Sequence, residues 1–111
     1  MTEGIQAVYL ETHNWGKSAK FFQKLGYTLE FETDHHSGQL SNGDGPYLFV
    51  AEVPERREPG IQLVLAVEGE EVSLEGLDIV TPFETTHWGA REMTIRDPDG
   101  RVWTLHARDP K

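Results

Sequence analysis

The sequence predicts an α+β fold built from two βαβββ modules in one domain spanning residues 1–111. Three observations carry this. A strand-like segment, IQAVYLE (Ile5–Glu11), leads into one helix-like segment. Three short strand-like segments separated by turn residues follow it. At Ile61 the segment IQLVLAV then opens with the same Ile-Gln pair, about half a chain further on, which indicates an internal repeat. The N-terminal module is read at about 4–53, a Pro-rich linker (PERREPG) at 54–60 and the C-terminal module at about 61–108.

The first strand alternates around Val8 and Leu10 and is rich in β-formers. Asn14 offers an N-cap; Trp15, Ala19, Phe22 and Leu25 recur at helical spacing, and Gly26 stands where a glycine ends a helix. YTLEFET, HSGQLS and PYLFVAEV read as an antiparallel set, broken at Asp34 and at the NGDG turn. In the second module GEEVSLEG takes the helix position but is barely two turns long, so this helix is expected to be shortened. LDIVTPF, REMTIR and RVWTLHA complete it, the last two joined by the turn Asp97-Pro98-Asp99-Gly100. Period-two alternation puts Met93, Ile95, Trp103 and Leu105 on an apolar face. Glu92, Thr94, Thr104 and His106 fall on the opposite one.

With 37% hydrophobic residues and 11 glycines the chain has the composition of an ordinary globular domain rather than a disordered one. There is no cysteine, which excludes disulfides, thiolate nucleophiles and zinc-thiolate sites. The opening MTEGIQAVYLET lacks the basic and apolar regions of a leader, and no stretch approaches the roughly 18 apolar residues of a membrane span. A cytoplasmic protein is therefore expected. Nineteen acidic residues against 10 basic ones give a net charge of −9, which disfavours nucleic acid and anionic membranes and favours a neutral or cationic small molecule as partner.

Three stretches, SAKFFQKLGY after the first strand, THWGARE, and MTIRDPDGRVWTL, together with the βαβββ repeat, resemble the vicinal oxygen chelate (glyoxalase / bleomycin resistance protein / dioxygenase) superfamily. The resemblance implies curled mixed sheets around a cleft, often completed in a homodimer. In the metal-dependent branches of that family, ligands stand on the first strand of each module and on the last strand of the second. Those positions correspond here to Ala7, Gln62 and Thr104. A methyl group, an amide and a hydroxyl fall short of the three or more N/O ligands that zinc, iron or manganese requires, so no metal cofactor is expected at the usual place.

The resemblance is closest in character to the bleomycin-resistance-like branch, through FETDHHSG, PYLFVAEV, HWG, RDPDG and the acidic balance. It implies non-catalytic sequestration of a small, cationic or flat aromatic, antibiotic-like molecule, with Trp88 and His36 at the positions where that branch stacks aromatic rings on its ligand. Phe31 and Tyr47 are further candidate aromatic surface, each equally consistent with a core position. Tyr9, Gln62, Glu92, Thr94, Thr104 and His106 complete the candidate ligand-binding set by strand parity. For Glu92 the ordinary alternative is an ion pair with Arg96 or a neighbouring strand. The competing reading is a metal-dependent glyoxalase- or dioxygenase-type enzyme whose divalent metal has moved to a centre drawn from His35, His36, His87, His106 and Glu92.

Overall fold

The structure is a computed structural model that describes residues 2–71 and 75–108. The order of elements is β1 (Thr2–Thr12), α1 (Trp15–Lys24), β2 (Thr28–Glu32), β3 (Ser37–Ser41), β4 (Tyr47–Glu52), β5 (Ile61–Val67), β6 (Asp78–Thr85), β7 (Arg91–Arg96) and β8 (Val102–Ala107), an α+β fold. The chain divides into two compact units, Ala7–Gln62 and Met1–Gln6 with Leu63–Lys111. Strands β1 and β5 each pass from one unit to the other.

In the Ala7–Gln62 unit the strand order is β2-β3-β4-β1. Strands β2, β3 and β4 run antiparallel to their neighbours, and β1 lies parallel to β4 with Ala7 opposite Tyr47 and Tyr9 opposite Phe49. A parallel partner needs a long crossover, and α1 lies within it. The helix begins as its sequence dictates. Asn14 is extended (φ −152°), and its side chain accepts a hydrogen bond from the Lys17 backbone N–H at 3.0 Å, a cap worth about 1 kcal/mol. It ends with Leu25 as C-cap and Gly26 at φ 107°, a conformation glycine adopts without steric cost. Trp15 and Ala19, one turn apart, are buried against Leu40, Leu48 and Val50, with Val8, Leu10, Phe22, Tyr27 and Leu29 around them.

Trp15 fixes this packing. Its backbone N–H donates to Glu52 Oε1 at 2.9 Å, and its indole N–H to Glu32 Oε2 at 2.8 Å. The ring lies on Gly38 so closely that a Cβ there would sit 2.6 Å from Trp15 Cη2 and 2.7 Å from the Phe31 carbonyl oxygen. Only glycine lets the indole and the β2 backbone approach together.

The other unit has the strand order β5-β8-β7-β6, with β5 and β8 parallel and the remaining pairs antiparallel. Val67, Met93, Leu105 and Ala107 form its buried cluster, bordered by Leu65, Phe83 and Ile95. The expected short helix at GEEVSLEG is not seen where the chain is described: residues 69–70 are bends, 71 has no regular structure, 75–76 are a turn, and Val72, Ser73 and Leu74 lie outside the described residues. Leu65, Met93, Ile95 and Leu105 therefore share one core face without a helix over it among the described residues. Trp103, the register partner of Ile95, donates its indole N–H to Asp97 Oδ2 at 3.0 Å.

Asp97 organises the β7–β8 turn. Its carboxylate accepts hydrogen bonds from the backbone N–H groups of Asp99 (2.9 Å) and Arg101 (3.0 Å) and pairs with the Arg101 guanidinium at 3.0 Å. Gly100 closes the turn at φ 87°, donating to the Asp97 carbonyl at 2.9 Å. The carboxyl is held well below the usual carboxylate range, chiefly by the Trp103 indole N–H and then by the donors from Arg101 and Asp99.

Two stability outcomes are expected. Gly38→Ala forces the Trp15 ring and the β2 backbone apart and should cost about 1–3 kcal/mol, read as a lower urea midpoint with unchanged slope. Asp97→Asn should destabilise at neutral pH. Because the folded carboxyl is more acidic than the unfolded one, this contribution is present above the ordinary carboxylate pKa and is lost as pH falls through the folded value. The difference between the two proteins should shrink on acidification, measured by denaturation at a series of pH values.

Candidate functional site

In the Ala7–Gln62 unit α1 covers one face of the sheet, and strand alternation sends a different set of side chains to the other. Phe31 on β2, Gln39 on β3, Phe49 on β4 and Tyr9 on β1 are register partners in one cross-strand row. The Tyr9 and Phe49 rings stack at 6.2 Å and 11°, and Phe49 meets Phe31 at 6.4 Å and 50°. Phe31 is 49% exposed and Tyr9, Gln39 and Phe49 are partly exposed, so none of the four is a core residue. Tyr47 stands opposite Ala7 on this same face and is also partly exposed. The result is a half-solvated aromatic strip with one amide in it, suited to a planar ligand.

The row has charge at one end. Glu11, two residues beyond Tyr9 on β1, accepts from the Gly60 backbone N–H at 3.0 Å and pairs with the Arg57 guanidinium at 2.8 Å. Its side chain is only 10% exposed, whereas that of Arg57 is 61% exposed. Burial raises the Tyr9 phenol above its ordinary pKa; the Glu11 carboxylate raises it further, and the Arg57 guanidinium opposes both.

In the other unit the last hairpin brings together a smaller polar group. Glu92 faces His106 and Thr94 faces Thr104 across β7 and β8, with Val64 and Ala66 of β5 on the same face. His106 Nδ1 lies 3.0 Å from Glu92 Oε2, both side chains partly exposed, and Thr104 is buried. A carboxylate that orients an imidazole can tune it as a base or as a hydrogen-bond donor. Of the two partners expected for Glu92, Arg96 or a neighbouring strand, it is the neighbouring strand that supplies one, through His106, while Arg96 turns to Asp78 and Arg91 to Glu70. Strand parity explains it: Glu92 and His106 are direct register partners.

The sequence-derived candidates thus fall into two groups. Tyr9, Phe31 and Tyr47 share one sheet face. His36, in contrast, is an exposed turn residue at φ 58° whose carbonyl accepts from Glu52 N–H, and His35 pairs with Asp34 at 3.2 Å. Gln62 is partly exposed on β5. Trp88 is 64% exposed in the β6–β7 turn, with the His87 ring edge-on to it at 4.7 Å. Of His35, His36, His87, His106 and Glu92, the residues expected to supply a relocated metal centre, Glu92 and His106 are hydrogen-bonded to each other. Among the described residues no group of three or more His, Cys, Asp or Glu side chains is placed to hold a metal ion. At the three positions that the sequence resemblance aligned with metal ligands, Ala7 offers a buried methyl group, Gln62 an amide and Thr104 a hydroxyl, a donor set short of what zinc, iron or manganese requires.

Sequence reasoning missed Phe49 and Arg57; it placed Glu11 on the Tyr9 face of the first strand but not among the candidate site residues. The signal for Phe49 was the alternation from Tyr47; the Glu11–Arg57 pair joins residues 46 positions apart and has no local signal.

A titration tests the electrostatics of the row. Glu11→Gln should lower the Tyr9 phenol pKa by removing a negative charge, and Arg57→Ala should raise it by removing a positive one. Both shifts are read from the Tyr9 ring carbon resonance in labelled protein.

No protein-family model matches the sequence, and no curated protein matches it. Among solved structures the chain is similar to a glyoxalase/bleomycin resistance protein/dioxygenase superfamily member from Vibrio splendidus 12B01 (17% identity, 94% of this chain and 99% of that one, TM-score 0.69). It is also similar to BphC, a halotolerant catechol dioxygenase (16% identity, 96% of this chain and 40% of that one, TM-score 0.71). A third is the Mn(II)-bound glyoxalase from Novosphingobium aromaticivorans (16% identity, 99% of this chain and 42% of that one, TM-score 0.65). The chain covers less than half of the last two proteins. At these identities the likeness is one of fold, and the fold is that of glyoxalase/bleomycin resistance/dioxygenase superfamily members.

Proposed function

We propose that this protein binds and sequesters a flat aromatic, cationic small molecule without transforming it. The observation that carries the reading is the cross-strand row of Phe31, Phe49 and Tyr9 on the helix-free face of the Ala7–Gln62 unit. Three neighbouring, partly solvated rings offer a planar ligand stacking and cation–π contacts worth about 0.5–2 kcal/mol each. The net charge of −9 favours a cation over an anion, and Gln39 within the row supplies directional hydrogen bonding. The donor chemistry of Ala7, Gln62 and Thr104 supports binding over metal-assisted chemistry.

A second reading rests on the His106–Glu92 hydrogen bond, which would suit a general base acting on a small oxygenated substrate.

Equilibrium binding of N-methylacridinium separates the two. Stoichiometric binding with the dye recovered unchanged, weakened about three- to thirtyfold by Phe49→Ala or Phe31→Ala, is the expected result. Absence of binding across a panel of planar cations would remove the sequestration reading. Consumption of a small oxygenated compound, abolished by His106→Ala but not by Phe49→Ala, would replace it with the enzymatic one.

A further inference from the structure

Glu11 is a carboxylate that is nine-tenths buried, one strand repeat of about 7 Å beyond Tyr9 on the same sheet face. A buried carboxylate requires partners, and this one has two of different kinds. The Gly60 backbone N–H is a fixed donor: Gly60 also accepts from the Glu11 backbone N–H at 2.9 Å, so it is locked to β1 through both main chain and side chain. The Arg57 guanidinium is exchangeable. Its backbone is anchored, with its N–H donating to the Pro54 carbonyl at 3.0 Å and its carbonyl 2.7 Å from His13 Nε2, but its side chain reaches Glu11 largely through solvent.

We propose that Arg57 is a built-in competitor, an internal cation that occupies the Glu11 carboxylate until the charge of a bound aromatic cation replaces it. This rests on the sequestration reading and adds to it the rejection of cations that bring no planar face. The exchange is close to balanced. Releasing Arg57 costs little hydration because the side chain is already mostly in water, Glu11 keeps its Gly60 hydrogen bond, and the incoming cation restores the lost ion pair. What tips the exchange is stacking on Tyr9 and Phe49, which Arg57 does not have. Neutral planar molecules gain only the stacking and leave Arg57 in place. Aliphatic cations gain only the ion pair and cannot outcompete a tethered guanidinium. The opposing influences of Glu11 and Arg57 on the Tyr9 phenol agree with both charges lying within electrostatic reach of the row.

The test compares N-methylacridinium with acridine, its uncharged counterpart at mildly alkaline pH, by fluorescence titration of the full chain. Arg57→Ala and Arg57→Gln should each raise affinity for the cation between about two- and tenfold while leaving acridine unchanged. In Glu11→Gln the cation should bind no better than acridine, and adding Arg57→Ala to it should give the cation no gain. Unfolding midpoints confirm that each variant is folded, and the glutamine variant retains the stem if alanine perturbs the linker. Equal gains for both dyes would show that Arg57 merely covers the row, and an unchanged cation-to-neutral ratio in both arginine variants would overturn the competitor outright. In both cases dye binding that still depends on Phe49 leaves the sequestration reading standing. Failure of both dyes to bind wild type and all variants overturns both.

Discussion

The Trp15 indole resting on Gly38 decides which side of the β2-β3-β4-β1 sheet is core. One ring is held at its N–H by Glu32, at its backbone by Glu52 and against a glycine by close approach, so the start of α1 is tied to three strands at once. With that face filled by helix, strand alternation leaves Phe31, Gln39, Phe49 and Tyr9 on the other. The aromatic row is therefore a geometric consequence of the helix packing. A one-residue slip of β4 would bury Phe49 and expose Leu48 and Val50, exchanging the strip for core.

Most of the fold was legible in the sequence because its signals are local. Asn14 and Gly26 bracket α1, the β5 boundaries coincide with IQLVLAV, and Asp97-Pro98-Asp99-Gly100 makes the turn its residues demand. Parity also placed Glu92, Thr94, Thr104 and His106 on one face, since a short hairpin transmits register faithfully. The site was less legible. His36 was matched to a stacking position by its neighbours in sequence, yet it sits in a left-handed turn outside the strand, where period-two alternation has no force. Phe31 falls where parity alone would mislead, because the ladder shifts between Leu29 and Phe31. That irregularity lets Leu29 pack with the core while Phe31 joins the opposite row, and nothing in TLEFE announces it.

The two polar groups differ in how their charge is arranged, and this bears on function. Glu92 and His106 are paired within one hairpin and are mutually satisfied, so nothing in their geometry requires a ligand. Glu11 depends instead on an arginine from the linker, a residue with the freedom to leave. A carboxylate whose burial is balanced by a mobile partner is less committed than one balanced by its strand neighbour, and the cost of ligand entry is correspondingly lower.

Under the proposed function, the same contrast would let an acidic chain discriminate among cations. A net charge of −9 raises the local concentration of every cation and, being diffuse and screened within about 10 Å at ordinary salt, selects none of them. Selection needs a short-range element that rejects the wrong cation. In the proposed scheme a tethered guanidinium on Glu11 sets that threshold, which a cation without a planar face does not exceed. The aromatic row and the ion pair are then two halves of one recognition device, and neither alone would separate an aromatic cation from the ions around it.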